Sequence, residues 1–407
     1  MPVSVIVGAS QAGATAAAQL REEGYDGTIV LIGAEPVAPY ERPPLSKEFL
    51  RGQQPLEAGI LRPDGWYAEH DIDLRLGTRA ERVDSDERAV ILEGGERIRF
   101  DQALIATGSR NRRPPIPGID LENVFSLRTA AEAQAIADAA ERGTHAVLVG
   151  MGFIGAEVAA SLRHLGLDVT VVEFAETPLQ RVLGPELGRV LEGLHRDHGV
   201  EMHFGTGADH FEGTDRFEAL VTTTGRTIEG DFAVVGIGVE PVTEVAEGSA
   251  IEIDNGILVD AALRTNVAGI FAVGDVARHD HPVFGPVRVE HYDNALKMGA
   301  HVAGSMLGRN EPFTDAHWFW SDQYDADIQM AGFAFTWDEM VIRGNMEERR
   351  FAAFLLKDGQ LLSTFAMNRP KDVRRSMKLI SAKARPAREQ LEDPEVDLRT
   401  LLPKGSA

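Results

Sequence analysis

Residues 146–157 read Ala-Val-Leu-Val-Gly-Met-Gly-Phe-Ile-Gly-Ala-Glu, and this stretch decides the fold. The apolar run that stops at Gly150 predicts a buried parallel strand, and the segment from about 155 to 165 predicts a helix. Between them stands the pattern Gly-x-Gly-x-x-Gly, whose glycines permit a tight turn, close approach of a pyrophosphate and close packing of the helix on the strand. The stretch therefore predicts a dinucleotide-binding βαβ unit.

A carboxylate ends the next predicted strand. Residues 168–172 read as a strand that leads into Glu173, where such folds place the acid that binds the adenosine ribose 2′-hydroxyl. Glu176 follows, and no arginine stands between these two acids to receive a 2′-phosphate. We therefore expect NAD rather than NADP, bound through Gly150, Gly152, Gly155 and Glu173.

The same unit recurs at the beginning of the chain. Val3–Val7 predicts a strand and residues 14–23 predict a helix, while the two glycines between them, Gly8 and Gly13, have the spacing of the later pattern. Thr28–Ile32 predicts the second strand. Two copies of one βαβ unit imply two nucleotide-binding domains in a single chain.

Serine replaces the middle glycine of the first pattern. Ser10 is small enough to let a phosphate approach, although the motif is weaker for it. The segment is not a hydrolase nucleophile elbow, because Ala12 stands where that motif needs its last glycine. Glu35 follows the second strand as the ribose-binding acid. Two such sites suggest one bound flavin and one exchanging nicotinamide nucleotide.

The remaining segments predict further strands and a third, smaller domain. Antiparallel strands are expected at residues 80–83, 89–92 and 98–101, and buried strands at 104–109, 232–237 and 269–275. From about residue 318, strands are expected at 328–335, 340–345, 350–357 and 361–367, then a helix over 371–383 and a mostly solvated tail from 385. The fold class is therefore α/β, with two Rossmann-like dinucleotide-binding domains and a C-terminal α+β domain.

Composition narrows the class of protein further. The 407 residues include 63 acidic and 41 basic side chains, and the net charge of −22 argues against broad nucleic-acid binding. The chain has no cysteine, which excludes a thiol nucleophile, a CxxC redox pair and a cysteine-ligated cluster. Residues 2–20 lack the basic start of a signal peptide, and no apolar window is long enough to span a membrane. We expect a cytoplasmic protein.

Two histidine pairs do not predict a metal site. His195 and His198 have helical spacing but no third ligand in view, and His279 and His281 suggest a surface loop. We therefore expect no bound metal.

Five ordered motifs resemble the FAD-dependent, NADH-dependent ferredoxin reductases of bacterial oxygenase systems, the putidaredoxin reductase-like family. They are residues 39–47, 106–108, 152–157, 265–275 and 319–323. Residues 289–295 are also similar to the apoptosis-inducing factors, relatives of the same fold, which glutathione reductase-type flavoproteins share. The resemblance implies an FAD domain at 1–109 and 237–313, an NAD domain at 110–236 and a C-terminal interface domain at 314–407.

The resemblance also assigns site residues. It implies that Lys47 and Glu157 pair beside the flavin and nicotinamide rings, as the catalytic pair. Asp275 suits the flavin ribityl hydroxyls or a helix N-cap, and Trp320 suits either the flavin border or plain core. The cation of Arg42 suits the flavin phosphates and the isoalloxazine edge, with a solvated charged loop as the alternative. The implied FAD-binding residues are Gly8, Ser10, Gln11, Ala12, Gly13, Glu35, Arg42, Lys47, Ala106, Thr107, Gly108, Asp275, Glu290, His291 and Trp320. Phe153, Ile154, Glu157 and Gly238 complete the NAD set.

The resulting hypothesis is a flavoprotein that passes electrons from NADH through FAD to a 2Fe–2S ferredoxin, which feeds a Rieske dioxygenase or a cytochrome monooxygenase. Two alternatives stay open: an NADH-sensing flavoprotein like apoptosis-inducing factor, or the same reductase with rubredoxin, a quinone or monodehydroascorbate as its acceptor. A monomer and a homodimer are both compatible with the sequence. The basic residues Arg369, Lys371, Arg374 and Arg375 are equally a solvated helix face or a docking patch for an acidic ferredoxin.

Overall fold

The computed structural model describes residues 1–403, and the chain divides into two compact units. The first unit comprises Met1–Glu41, Gly59–Arg110 and Glu240–Phe319, and the second comprises Arg42–Ala58, Asn111–Val239 and residues 320–403. Each unit contains one of the two predicted βαβ units. The fold is α/β, as the sequence predicts.

The first unit is built on a five-stranded parallel sheet. Its strand order is Ile270–Ala272, Gln102–Ile105, Val3–Val7, Thr28–Ile32 and Ile72–Arg75. The strands at 3–7 and 28–32 are confirmed at both ends, because a short β-branched run stopped by glycine favours a buried parallel strand over a helix. The helix between them runs over Gln11–Glu22, so it begins directly after Ser10 rather than at residue 14.

The first unit also contains two three-stranded sheets and further helices. They are an antiparallel sheet of Ala80–Asp84, Ala89–Leu92 and Arg97–Arg99, a sheet of Ile257–Val259, Ala277–His281 and Gly285–Val287, and the helices Trp66–Glu69 and Tyr292–Met306. Two predictions are wrong in extent. Residues 104–109 hold the end of the strand Gln102–Ile105 and the start of a separate strand, Ser109–Asn111, and residues 269–275 are not a single strand either. The strand ends at Ala272, and a 3₁₀ turn over Gly274–Val276 follows. This turn places Asp275 at the carboxyl end of the sheet.

The second unit repeats the parallel arrangement. Its five-stranded sheet has the order Glu201–Phe204, Asp168–Glu173, His145–Val149, Phe232–Val235 and Val124–Phe125. Its helices are Ala130–Arg142, Phe153–His164 and Gln180–Asp197. An antiparallel sheet of Ala208–Glu212, Ala219–Thr222 and Thr227–Glu229 completes this part. The strand predicted before Gly150 and the helix predicted after it are both confirmed.

The C-terminal part of the chain forms an antiparallel sheet covered by a helix. The strand order is Trp318–Gln323, Ala326–Gly332, Gln360–Met367, Arg350–Lys357 and Glu339–Asn345. The helix Pro370–Ser381 packs on the strands at 326–332 and 360–367. These elements agree with the predicted α+β domain.

The tail from residue 385 is mostly exposed, as the sequence predicts, but two of its leucines reach the interior. Leu391, in the short helix Arg388–Glu392, and Leu398 are both fully buried. The guanidinium of Arg343, itself 1% exposed, donates to the carbonyl oxygens of Gln390, Leu391 and Val396. Because one arginine offers five donors in a fixed geometry, it can hold a segment that has little regular structure of its own.

Candidate functional site

The first glycine loop, residues 8–13, joins the strand Val3–Val7 to the helix Gln11–Glu22. Gly8 has φ of +117°, and a Cβ atom there would lie 2.2 Å from the carbonyl oxygen of Ala106. A Cβ atom on Gly13 would lie 1.9 Å from the carbonyl oxygen of Gly8. Glycine is therefore required at both ends of the loop, while Ser10 occupies the N-cap position of the helix without a side-chain capping hydrogen bond.

Carboxylates border this loop on the first unit. Glu35 accepts a hydrogen bond from the Tyr40 hydroxyl at 2.6 Å, and Asp275, 7% exposed, accepts one from the Ser109 hydroxyl at 2.7 Å. Sequence reasoning missed Tyr40 and Ser109, although Tyr40 lies inside the motif at residues 39–47. Both hydroxyls hold their acids in one orientation.

These residues of the first unit fit a flavin dinucleotide. The loop leaves backbone amides at a helix N-terminus, where a phosphate is stabilised, and the two acids are suited to bind hydroxyl groups. The buried Oε1 atom of Gln11 has no partner within residues 1–403, which is the mark of a polar atom that a ligand would satisfy. Ala106 is buried, and Thr107 donates from its hydroxyl to the carbonyl oxygen of Val242 at 2.6 Å, which fixes the turn that ends at Gly108.

Glu290 and His291 lie at the start of the helix Tyr292–Met306. Glu290 forms an ion pair with Arg288 at 2.7 Å, and His291 is the N-cap residue, its ring 4.4 Å from that of Phe319 between centroids. Burial lowers the pKa of His291 to about 4, so the ring is neutral at pH 7.

The second glycine loop, residues 150–155, has the same construction. Gly150 has φ of +98°, and Cβ atoms on Gly150 and Gly155 would lie 2.4 and 2.3 Å from the carbonyl oxygens of Gly236 and Gly150. At Gly152, by contrast, no atom of the described chain lies within 4 Å of the position a Cβ would take. This open space beside a helix N-terminus fits a pyrophosphate. Phe153 begins the helix, and Ile154 is 47% exposed beside the loop.

Glu173 lies beside the second glycine loop and also accepts a hydrogen bond from its backbone. Its Oε2 atom accepts from the backbone amide of Met151 at 2.6 Å, and its Oε1 atom accepts from the amide of Ala175 at 2.8 Å. The carboxylate is therefore held at the end of its strand, with further lone pairs left for a ribose hydroxyl. At Gly238, also assigned to NAD, no atom of the described chain lies within 4 Å of the position that a Cβ would take.

Lys47 and Glu157 form a buried ion pair within the second unit. The Nζ atom of Lys47 lies 2.7 Å from the Oε2 atom of Glu157, and the residues are 5% and 4% exposed. Glu157 also accepts hydrogen bonds from the hydroxyls of Ser46 and, at 2.7 Å, Ser321. The pairing that the resemblance implies is confirmed. Its position beside the rings stays a prediction.

The loop around Lys47 is not simply solvated. Pro43–Ser46 forms a 3₁₀ turn that places Lys47 in the interior, and Arg42 is half-buried, donating to the carbonyl oxygen of Arg128. Trp320 is half-buried on the strand Trp318–Gln323. Arg42, Lys47 and Trp320 all belong to the second unit.

The expectation that His279 and His281 lie in a surface loop is wrong. Both lie on the strand Ala277–His281 and are 2% exposed, packed with the rings of Phe313 and His317. Alternate residues of a strand face the same side, so the two rings enter the core together. Burial lowers the pKa of His279 to about 3, with the neighbouring charge of His281 contributing in the same direction.

The part of the chain at residues 1–403 shows neither a metal-binding cluster nor a membrane-spanning helix. No group of three or more histidine, aspartate or glutamate side chains is arranged to hold a metal ion. No helix in the described part of the chain has the length and apolar character needed to cross a membrane.

The basic residues of the C-terminal helix differ in their exposure. Lys371 and Arg374 are exposed, Arg375 is half-buried, and Arg369 forms an ion pair with Asp372 at 2.5 Å. Lys378 adds a further exposed cation. The exposed cations of the helix Pro370–Ser381 are therefore Lys371, Arg374 and Lys378.

Two family models together cover nearly the whole chain. One, described as pyridine nucleotide-disulphide oxidoreductase, matches residues 3–299. The other, described as reductase C-terminal, matches residues 318–402.

The curated relatives and solved structures are similar over the full length. The chain is 39% identical to rhodocoxin reductase of Rhodococcus erythropolis (98% of this chain, 94% of the relative). It is 38% identical to the ferredoxin–NAD(+) reductase component of the anthranilate 1,2-dioxygenase system of Burkholderia cepacia (98% of each). Its fold matches the covalent putidaredoxin reductase–putidaredoxin complex with a TM-score of 0.95 and 32% identity (98% of each chain). The ferredoxin reductase for the CYP199A2 system of Rhodopseudomonas palustris also matches with 0.95, at 35% identity (99% and 100%).

Proposed function

Because this chain belongs to the pyridine nucleotide-disulphide oxidoreductase family, we propose that it oxidises NADH and passes the electrons through FAD to a 2Fe–2S ferredoxin of an oxygenase system. The observation that carries the proposal is the presence of two glycine loops, each with its own acid, in one chain. The chain contains no cysteine, so the disulphide chemistry in the name of the family is excluded. Relatives named for a dioxygenase system and for a CYP system support an oxygenase as the final acceptor.

The residues of the first unit hold FAD in this proposal. The backbone amides of the first glycine loop bind its phosphates, Glu35 binds the ribose, and Asp275 binds the ribityl chain. When bound, FAD accepts a hydride from NADH and releases electrons one at a time, which suits a two-electron donor and a one-electron acceptor. No side chain of the protein then needs to act as an acid, base or nucleophile.

The second unit binds the nicotinamide nucleotide. The second glycine loop receives the pyrophosphate in the open space at Gly152, and Glu173 binds the adenosine ribose. Lys47 and Glu157 place a fixed cation and a fixed carboxylate where the reacting rings meet. We retain the three predicted domains, FAD at 1–109 and 237–313, NAD at 110–236 and interface at 314–407, and a cytoplasmic location, as parts of this proposal.

The acids at residues 173 and 176 predict a preference for NADH. The natural protein should use NADH over NADPH by at least about tenfold in kcat/KM, or roughly 1.4 kcal/mol, because a carboxylate repels a 2′-phosphate. Glu176→Arg is the sharper variant, because Glu176 is exposed whereas Glu173 also holds two backbone amides. It should narrow the preference while NADH kinetics stay nearly unchanged. Equal use of NADH and NADPH by the natural protein would contradict the assignment of NADH as its substrate.

Ferredoxin docking is expected on the exposed cations of the C-terminal helix. Reversal of Lys371 and Arg374 to glutamate should lower the ferredoxin-dependent rate roughly tenfold at low salt and leave ferricyanide reduction intact. The natural rate should fall as salt rises, since exposed charges are screened over about 8–10 Å. Reversal of Arg99 and Arg226, also exposed, makes the same change in net charge and is the control. Equal losses in both double variants would show a net-charge effect and no docking patch.

A further inference from the structure

A row of buried side chains continues outward from Glu157 within the second unit. Ser321 donates from its hydroxyl to Glu157 Oε1 at 2.7 Å, and the Gln323 amide nitrogen donates to the Ser321 hydroxyl at 3.0 Å. His195 Nε2 lies 2.9 Å from Gln323 Oε1, and the Tyr324 hydroxyl lies 3.0 Å from His195 Nδ1. Ser321, Gln323 and His195 have no exposed surface.

The direction of every hydrogen bond in this row follows from the carboxylate. A carboxylate only accepts, so Ser321 donates to Glu157 and must itself accept from the amide nitrogen of Gln323. The amide oxygen of Gln323 then faces His195, whose Nε2 atom must carry the proton. The Nδ1 atom is left as the acceptor for Tyr324. All four donors therefore point toward Glu157.

The protonation state of the two outer residues supports this direction. Burial lowers the pKa of His195 to about 4, so the ring is neutral and holds a single proton at pH 7. Burial raises the pKa of Tyr324, which therefore keeps its hydroxyl proton. Hydrogen bonds aligned in one direction in a low-dielectric interior polarise one another and strengthen the last bond of the row.

The outer end of the row reaches a cavity of about 310 Å³ that is lined by Arg51, Ala160, Arg163, His164, His198 and Tyr324. The ring of Tyr324 stacks on that of His198, with centroids 3.6 Å apart and planes 10° apart. The position of Tyr324 is thus fixed by stacking, and its hydroxyl by His195. The outermost residue of the row, Tyr324, is therefore held in one position.

We propose that Tyr324, His195, Gln323 and Ser321 form a positioning relay that holds Glu157 as an oriented carboxylate against Lys47, and thereby sets how fast NADH delivers its hydride. The inference rests on the proposed function, because the orientation of Glu157 matters to this reaction only if the nucleotide binds beside it. Ser321 occupies one carboxylate oxygen, while Lys47 and Ser46 occupy the other, so the carboxylate cannot turn away from the cation. These are positioning residues. None of the four needs to touch a substrate.

The test uses Tyr324→Phe in the FAD-loaded protein, because this variant keeps the ring and its stacking and removes only the oxygen farthest from Glu157. We expect the rate of flavin reduction by NADH to fall, or the dissociation constant of NAD⁺ measured by calorimetry to rise, by about three- to tenfold. The melting temperature should stay close to that of the natural protein. Tyr67→Phe is the matched control, because Tyr67 is buried and its hydroxyl has no partner within residues 1–403. Tyr67→Phe should change neither the rate of flavin reduction nor the dissociation constant of NAD⁺.

A second background separates a relay from a merely structural role. In a Glu157→Gln protein, Tyr324→Phe should have no further effect on reduction rate or NAD⁺ binding, because the relay acts through that carboxylate. Nitrogen-15 shifts of His195 should show the Nε2–H tautomer in the natural protein and need no turnover. An equal effect of Tyr324→Phe in both backgrounds, no effect in either, or the other tautomer would overturn the relay. The half-reaction needs no ferredoxin, so failure of ferredoxin reduction leaves this result standing and counts against the proposed function alone.

Discussion

Gly13→Ala is expected to yield a protein that does not retain FAD and does not oxidise NADH with any acceptor. The reason is steric, since the new Cβ would lie 1.9 Å from the carbonyl oxygen of Gly8 and 3.1 Å from the Cγ2 atom of Ile6. The loop can relieve this clash only by leaving the geometry that presents its amides to the phosphates. Absorbance of the purified protein measures bound flavin, and circular dichroism checks that the sheet has formed.

Gly152→Ala is the matched variant in the second glycine loop. Its Cβ would meet no atom of the described chain within 4 Å, and the backbone there, with φ of −75°, is accessible to alanine. The protein should fold and keep its FAD, while the KM for NADH rises roughly tenfold because the methyl group enters the space assigned to the pyrophosphate. Normal FAD content with normal turnover in Gly13→Ala, or loss of FAD in Gly152→Ala, would contradict the assignment of the two loops.

The second large effect is expected at the ion pair of Lys47 and Glu157. Replacing either partner leaves a buried charge without its counter-charge, which typically costs about 3–5 kcal/mol. Glu157→Gln and Lys47→Met should each slow flavin reduction, and the double variant should lose less than the sum of the two. The coupling is expected to be about 1–3 kcal/mol in urea unfolding and in stopped-flow reduction.

Arg75 and Glu96 provide a control pair for this cycle. Their atoms are also 2.7 Å apart, but the side chains are 31% and 60% exposed. Exposed pairs of this kind typically couple by no more than about 1 kcal/mol. Additive effects of Lys47→Met and Glu157→Gln within about 0.5 kcal/mol would mean that the two residues do not act together.

The glycine loops could be read from the sequence because each is local. Strand, turn, helix and acid follow one another within about 35 residues, so periodicity and spacing are enough to predict them. The confirmed strands Val3–Val7 and Thr28–Ile32 are of this kind. The hydrogen bond from the Met151 amide to Glu173 could not be predicted from the sequence, because it depends on the direction of that amide.

Residues that meet across the chain were not predictable in the same way. Taken alone, Glu157 on its helix reads as an exposed acid, and only the resemblance implied its partner. Arg343 and the tail it holds belong to separate segments, and the tail by itself has little apolar periodicity. A usable signal did exist for the relay, since Ser321 and Gln323 are alternate residues of one strand and must share a face.

The central claim is that electrons from NADH leave this protein to a ferredoxin. The most direct measurement is the rate of cytochrome c reduction by the FAD-loaded protein and NADH, with and without a 2Fe–2S ferredoxin from the same source. Ferricyanide is a poor substitute, because many flavoproteins of this fold reduce it. We predict a rate that depends strongly on ferredoxin and saturates as its concentration rises. An unchanged rate across the ferredoxins of that source would contradict the proposed function.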